Sequence, residues 1–449
     1  MLKTRILIIG AAGRDFHNFN TYFKDKEAFQ VAGFTASRQV PRVSGRKYPA
    51  ALAGRLYPEG IPVYAEEDLP RLIEELNINV CVFAYSDVSY QHVMSVGAVV
   101  EAAGASYMML GPDDTMLKSN KPVIAVCAVR TGAGKSQTSR RIIDILTKKG
   151  VKAVSVRHPM PYGDLVAQRV QRYAELADLE KHRCSLEEME EYEPYIVQGN
   201  VIYAGADYQA ILAAAEQDPK GCDVIHWDGG NNDFPFFKPD LFITVIDPHR
   251  AGHEVSYYPG EICLRMADVV VINKIDSASA DDVQTVRENI ERVNPLATVV
   301  NASSPVSVDD PDIIKGKRVL CIEDGPTLTH GEMGFGAGTI AATRYGAAEL
   351  VDPRPYTVGA IAESFKLYPQ IGALLPAMGY SKEQLKDLEI TVNRTDCEAV
   401  VVATPIDLRR VIKINKPSTR VHYELQEIGE PTLEGILTAF GRAHDLAME

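Results

Sequence analysis

The chain has 449 residues, 46% of them hydrophobic and 24% charged, with a formal net charge of −13 and seven cysteines. The length exceeds the ~100–200 residues of one domain and predicts two or three domains with substantial cores, and no run of about 18 uncharged apolar residues predicts a membrane span. The acidic balance argues against broad nucleic-acid binding, which needs a basic surface to neutralise phosphates, and the scattered cysteines, none paired as C-x-x-C, read as reduced core thiols.

The N-terminal stretch MLKTRILIIGAAGRD passes from a short basic start straight into a strand, without a small-residue cleavage site. Fold rather than signal peptide is the expectation, and with it a cytoplasmic protein. RILIIG, VAGFTA and VCVFAY are continuously apolar runs separated by amphipathic stretches, as a buried parallel sheet covered by helices requires. Gly10 and Gly13 follow the first of them and precede a helix, so residues 1–118 are expected to form a Rossmann-like α/β domain. The pattern is G-x-x-G rather than the three-glycine dinucleotide fingerprint, and no acidic residue ends the second strand. Gly10, Gly13 and Arg14 are candidate substrate contacts, and Arg38 with Thr35 and Ser37 could hold a phosphate group; a structural role is the alternative for all of them.

MLGPDDTMLKSNKP (109–122) is a polar connector, after which residues 119–305 are expected to form a P-loop nucleotide-binding domain on a parallel sheet. In PVIAVCAVRTGAGKSQTSRRIIDIL an apolar strand ends at a glycine-containing loop that opens an amphipathic helix. Such a loop brings backbone N–H groups to phosphate oxygens, its lysine reaches the β- and γ-phosphates, and its serine ligates Mg²⁺. Thr131, Gly132, Ala133, Gly134, Lys135, Ser136 and Gln137 are therefore the candidate nucleotide contacts, although Val129 stands where the pattern has its first glycine.

VRHPMPYGD places Arg157 and His158, a candidate phosphate clamp, and Asp164, a candidate for magnesium or a base, just past the next strand. An ordinary loop fixed by prolines is the alternative there. The acidic run SLEEMEEYEP (185–194) reads as a solvated helix face. Asp228, ending DVIHWDGG, is the best candidate for the carboxylate beside magnesium, which accepts one or two carboxylates and keeps much of its water. LFITVIDPHRAGHE supplies His249, Arg250 and His253; the two histidines have the spacing of a metal pair if the segment is helical, and otherwise contact substrate or stabilise a polar loop.

VVVINKID puts Asn273, Lys274 and Asp276 at a strand end where a base would lie. The Asp carboxylate can accept from guanine N1–H and the 2-amino group, donors adenine lacks, so GTP is favoured. Beyond the connector SSPVSVDDPDIIKGK (303–317), residues 306–449 are expected to form a C-terminal α/β domain. Its EDGPTLTHGEMGFGAG loop, with His330, suits an anionic substrate or is a plain glycine-rich connection.

The phosphate loop, DVIHWDGG, LFITVIDPHRAGHE and VVVINKID, in this order, resemble the branch of P-loop proteins that contains dethiobiotin synthetase and the MinD-like and metallochaperone GTPases. The wider chain, with GAAGRDFHNFN, RHPMPYGD, WDGGNNDFPF and EDGPTLTHGEMGFGAG, resembles over nearly its full length a family of predicted GTPases grouped with cyclic 2,3-diphosphoglycerate synthetases. That resemblance implies transfer of a nucleotide γ-phosphoryl group to 2,3-bisphosphoglycerate, closure to an intramolecular phosphoanhydride, and a homodimer. The expectation is thus an Mg²⁺-dependent enzyme that uses GTP or ATP to phosphorylate a small phosphorylated acid, without nucleic-acid or membrane partners. Lys135, Asp228, Arg157, His158 and His249 would be catalytic, Ser136, Asp228 and Asp164 would hold the metal, and Gly10, Gly13, Arg14, Arg250, His253 and His330 would meet the substrate. A GTPase switch or metallochaperone with slow hydrolysis is the alternative.

Overall fold

The computed structural model describes residues 3–11, 13–37, 45–158, 163–230, 232–329, 333–378 and 382–448. Its three larger sheets follow one another along the chain. The first runs in the order Lys47–Tyr48, Ile61–Ala65, Phe29–Ala36, Thr4–Ile9, Val80–Phe83, Ser106–Met109 and is parallel except at the Lys47–Tyr48 edge. Successive side chains on a strand point to opposite faces. Ile6, Ile8 and Phe34 therefore meet Phe16, Phe19 and Phe23 on one side, while Leu7, Ile9 and Phe83 meet Leu69, Leu72 and Val93 on the other. Both faces are covered, which is why these strands read as unbroken apolar runs.

The central sheet has nine strands in the order Gln171–Tyr173, Val201–Ala204, Ala153–Arg157, Val224–Gly229, Val123–Ala128, Leu241–Ile246, Val269–Ile272, Thr298–Ser303, Gln426–Glu427. Its two edge pairings are antiparallel and every inner pairing is parallel. Parallel pairing carries the ends of Val123–Ala128, Ala153–Arg157, Val224–Gly229, Leu241–Ile246 and Val269–Ile272 to one edge, where open α/β sheets hold ligands. All five loops that the sequence singles out as chemical within residues 119–305 leave from that edge.

The third sheet is ordered Val306–Val308, Ser418–Tyr423, Ala399–Ala403, Arg318–Asp324, Glu349–Leu350, with Leu375–Ala377 also paired to Arg318–Asp324. The supposed connector 303–317 thus supplies an edge strand, because Val306 and Val308 pair with Tyr423 and Val421. The chain then returns to the central sheet. Gln426–Glu427 adds to its edge, and the helix Leu433–Ala443 places Leu433, Leu437 and Phe440, spaced along one helical face, in the core around Ile142 and Leu146.

The acidic run departs most from its sequence reading. Helix Leu186–Val197 starts with a reciprocal cap between Ser185 and Glu188, and its Tyr192, Tyr195 and Ile196 are in the central core. Docking by those residues turns Glu187, Glu188 and Glu190 inward, and all three are buried. Among the described residues no helix is long and apolar enough to cross a membrane.

Candidate active site

The phosphate loop has the backbone its sequence requires. Gly132 and Gly134 have φ of +81° and +112°, values that side chains other than glycine rarely adopt. A Cβ on Gly134 would lie 2.0 Å from Asn273 Nδ2. Gly134 is the N-cap of helix Lys135–Lys148, so the first-turn N–H groups lack intrahelical acceptors and face outward with the positive end of the helix dipole. Thr131, Gly132, Gly134, Lys135, Ser136 and Gln137 line a cavity of about 910 Å³, while Ala133 is buried behind them.

Asp228 is the electrostatic centre of the site. Its Oδ1 accepts from Lys135 Nζ at 2.8 Å and Ser139 Oγ at 2.7 Å; its Oδ2 accepts from Tyr195 OH at 2.7 Å and from Arg157 Nη1. Lys135 Nζ also donates to the Asp228 carbonyl at 2.7 Å. Burial alone would raise this carboxyl, but the Arg157 guanidinium and the Lys135 ammonium outweigh it and hold Asp228 well below the usual range. With four donors on two oxygens, Asp228 is saturated. The carboxylate that stands beside the loop serine is instead Glu191, which accepts from Ser136 Oγ at 3.5 Å and pairs with Arg157 Nη2 at 2.8 Å.

The N-K-x-D segment braces the loop from behind. Asn273 Nδ2 donates to Ala133 O at 3.0 Å, and Lys274 Nζ donates to Gly132 O at 2.6 Å and to Asp247 at 3.0 Å. Asp276 is exposed and accepts from Ser304 N at 3.3 Å. Asp247 also pairs with Arg250 at 3.1 Å, and the two lysine and arginine partners keep its carboxyl low despite burial. Arg250 is thereby tied behind the loop, and it is not among the residues lining the cavity.

His249 and His253 do not form a pair. They sit in separate single turns, Pro248–Arg250 and His253–Val255, with Gly252 at φ +93° between them. His249 Nε2 meets Ser277 Oγ at 2.9 Å at the cavity edge, whereas His253 Nδ1 meets Arg130 Nη1 at 2.6 Å and its ring stacks on Tyr257 at 4.4 Å. Burial and the Arg130 charge push His253 down to about 4, so its neutral ring accepts from the guanidinium.

The N-terminal sheet closes the site from above. Asp87, two residues past Tyr85 and at φ +58°, accepts from Arg130 Nε at 2.5 Å, Thr131 N at 3.0 Å and Thr131 Oγ1 at 2.5 Å. Arg14 lies 3.8 Å above the Phe234 ring and pairs with Asp233 at 3.4 Å. The G-x-x-G loop is filled by the central sheet itself, since a Cβ on Gly13 would lie 3.1 Å from His158 Nδ1. Gly10 bridges to the neighbouring strand, donating to Thr35 O at 3.1 Å. His158 packs on Phe236 with ring centroids 4.6 Å apart, and neither ring nitrogen has a hydrogen-bond partner among the described residues. Burial, Arg14 and Arg157 lower its pKa well below 6.5, so the ring is neutral.

Asp164 stands apart. It is exposed, its carboxylate caps Val166 N at 2.9 Å, and it does not line the cavity. His330 lies outside the described residues. The cavity therefore gathers Gly13, Arg14, Lys135, Ser136, Arg157, His158, His249 and Lys274, while Gly10, Asp228, Arg250, His253, Asn273 and Asp276 are not among the residues that line it. Sequence reasoning missed Asp87, Ser139, Glu190, Glu191 and Tyr195. For Asp87 a signal existed, a carboxylate just past the strand Val80–Phe83, which belongs to a sheet edge of the kind that holds ligands.

The nucleotide-binding domain model of CobW/HypB/UreG matches residues 224–301, the stretch that carries Asp228, Asp247 and Asn273 to Asp276. Over 440 residues the chain is 58% identical to a Thermococcus kodakarensis protein named arginine synthetase ArcE, covering 98% of this chain and 97% of that one. A Thermococcus sibiricus protein named cyclic 2,3-diphosphoglycerate synthetase is 28% identical over 105 residues, 23% of this chain and 24% of its own. Among solved structures, LpxK from Aquifex aeolicus in complex with ATP covers 72% of this chain and 90% of its own at a TM-score of 0.42 and 13% identity. The full-length likeness expected of the cyclic 2,3-diphosphoglycerate synthetases thus belongs to the arginine synthetase, and theirs is confined to a part of the chain. The chain is an enzyme with a P-loop nucleotide-binding domain.

Proposed function

This chain belongs to the family of the Thermococcus kodakarensis arginine synthetase, and from that premise we propose that it forms arginine by nucleotide-driven C–N bond formation. Arginine carries a nitrogen where the corresponding urea, citrulline, carries oxygen, so that oxygen must first become a leaving group. In the reading put forward here the γ-phosphoryl group passes to the ureido oxygen, the bond to the nucleoside diphosphate breaking as the O–P bond forms. Ammonia then adds to the carbon, and the C–O bond breaks with its electron pair leaving on phosphate. Citrulline, ammonium and nucleoside triphosphate thus yield arginine, nucleoside diphosphate, phosphate and one proton.

The observation that carries this reading is the opening of the phosphate loop into one cavity of about 910 Å³ walled by all three sheets. Ligand pockets span roughly 300–1,000 Å³, so the cavity has room for the reacting ends of two substrates. Seated between the three sheets, a phosphorylated intermediate would be partly shielded from bulk water. Lys135 turns from Asp228 to the phosphates, Arg157 neutralises the transferring group from the buried side, and Asp228 anchors both cations. Ser136 Oγ and the Glu191 carboxylate, 3.5 Å apart, fit magnesium, which takes few carboxylates beside phosphate oxygens and water. Bound there, the ion supplies charge neutralisation at the β- and γ-phosphates. Asp276 would read guanine with its exposed carboxylate, GTP and ATP being the two nucleotides to compare.

A phosphorylated acid would be repelled along the wall of Glu187, Glu188, Glu190 and Asp324, whereas Arg14, Lys135, Arg140, Arg157 and Lys274 line the rest of the cavity and suit the nucleotide phosphates. The test incubates the purified enzyme with Mg²⁺, citrulline, ammonium and either ATP or GTP, following arginine by chromatography and phosphate by phosphorus NMR. Arginine should appear in step with nucleoside diphosphate. Nucleotide consumption indifferent to citrulline and ammonium would refute the proposal in favour of a switch, and a cyclic anhydride formed from 2,3-bisphosphoglycerate would move it to a phosphorylated acceptor.

A further inference from the structure

One wall of the cavity is made of carboxylates. Helix Leu186–Val197 carries Glu187, Glu190 and Glu191 at i, i+3 and i+4, hence on one face, and Asp324 meets them from the end of the strand Arg318–Asp324. Glu191 is committed to Arg157 at 2.8 Å and to Ser136. Asp324 Oδ2 caps Thr327, accepting from its N at 3.2 Å and its Oγ1 at 2.5 Å. Glu190 is different. Its side chain is 4% exposed, it lines the cavity, and its Oε1 has no hydrogen-bond partner among the described residues.

A carboxylate held so deep without donors is unfavourable unless something entering the cavity supplies them. Among the described residues no Lys or Arg forms an ion pair with Glu190 or Asp324, although Arg140 lines the same cavity. Within the described residues Glu190 Oε1 is therefore left for a ligand to satisfy. Yet no group of three or more His, Cys, Asp or Glu side chains among the described residues is arranged to hold a metal ion. What fits is a wider cation with several N–H donors pointing in different directions.

We propose that Glu190, with Glu187 and Asp324, forms the subsite that receives the guanidinium group of arginine. The inference rests on the arginine-forming reading above. Position selects the guanidinium over the α-ammonium group, because Glu190 adjoins Glu191, which touches the loop serine, and the reacting carbon must lie beside the transferring phosphoryl group. Planar guanidinium and carboxylate make paired, charge-assisted hydrogen bonds. A neutral urea gains less from this wall than the cation that replaces it, so the wall favours the charge that develops as ammonia adds.

The test titrates L-arginine, agmatine, ADP and Mg²⁺ separately into the full-length enzyme and into Glu190→Gln, by calorimetry. Charge-assisted hydrogen bonds of ordinary strength predict that the variant binds arginine about 10–100-fold more weakly. Agmatine, which keeps the guanidinium and lacks the carboxylate, should lose the same factor, and ADP should bind unchanged. Unaltered arginine affinity would overturn the subsite; so would an equal loss of ADP affinity, which marks a structural role, or a site for Mg²⁺ alone that disappears in the variant. Should the unmodified enzyme bind arginine through Glu190 but fail to form it, the reaction assignment falls and the subsite stands. Arginine formation with unaltered binding by the variant would bring down the subsite alone.

Discussion

Asp228→Asn changes one atom at the point where four donors converge. The carboxylate is fully buried, and Lys135 and Arg157, which it neutralises, are 11% and 7% exposed. Removing one partner of a buried ion pair costs about 3–5 kcal/mol, because a charge is left without compensation. Here each cation keeps a second acceptor: Lys135 retains the residue-228 carbonyl at 2.7 Å, and Arg157 retains Glu191 at 2.8 Å. The lower end of the range, about 3 kcal/mol, is therefore expected. The new amide group adds N–H donors that face other donors, whereas Tyr195→Phe removes a single hydrogen bond at 2.7 Å and should cost about 1 kcal/mol. Trp227, the sole tryptophan, is buried next to the mutated residue, so its fluorescence in a urea titration reads the central sheet directly. Turnover should fall along with stability, since Lys135 loses the group that orients it. A central-sheet transition within about 0.5 kcal/mol of the unmodified enzyme's would refute the reasoning that Asp228 is a saturated anchor.

Lys135→Ala should leave folding intact and lower turnover by about 10²–10³-fold, the usual loss when one donor to a developing anionic charge is removed; full activity would displace the phosphate loop from the chemistry. Asp276→Asn should weaken GTP and spare ATP, and indifference of the unmodified enzyme to the two nucleotides would reduce the N-K-x-D segment to a brace for the loop. His226 gives a pH prediction, since burial pushes it down from 6.5 to about 4 in the fold. The unfolded chain takes up this proton first, so the stabilisation is complete above about pH 6.5 and declines by about 1.4 kcal/mol per unit until pH reaches about 4. Urea titrations of His226→Asn should show a shallower loss over that window, and identical slopes would count against it.

The fold was legible wherever a strand is buried on both faces. RILII, VIAVCA, LFITVI and VVVI are continuous apolar runs because helices cover both sides of each sheet, and composition alone carries that message. The phosphate loop was equally legible, since glycines, lysine and serine are required at adjoining positions of one turn. The acidic helix was not. Nothing in SLEEMEEYEP distinguishes a solvated face from one that Tyr192 and Tyr195 dock into the core, because burial of its neighbours depends on a surface supplied by distant segments. The histidines of DPHRAGHE failed for a related reason: Gly252 breaks the turn between them, and Arg130 and Ser277 claim one each.

By itself, then, the sequence determined the three α/β regions, the phosphate loop and the set of strand-end loops that carry charge, because those properties rest on periodicity and on residues adjacent in the chain. Tertiary structure alone decided that Asp228 anchors cations while Glu191 meets the serine, that Asp87 from the first sheet grips the phosphate loop, and that Glu190 faces the cavity without a donor. Each of those outcomes is a contest among groups far apart in sequence for the same few ångströms, and only packing settles which carboxylate is satisfied and which is left for a ligand.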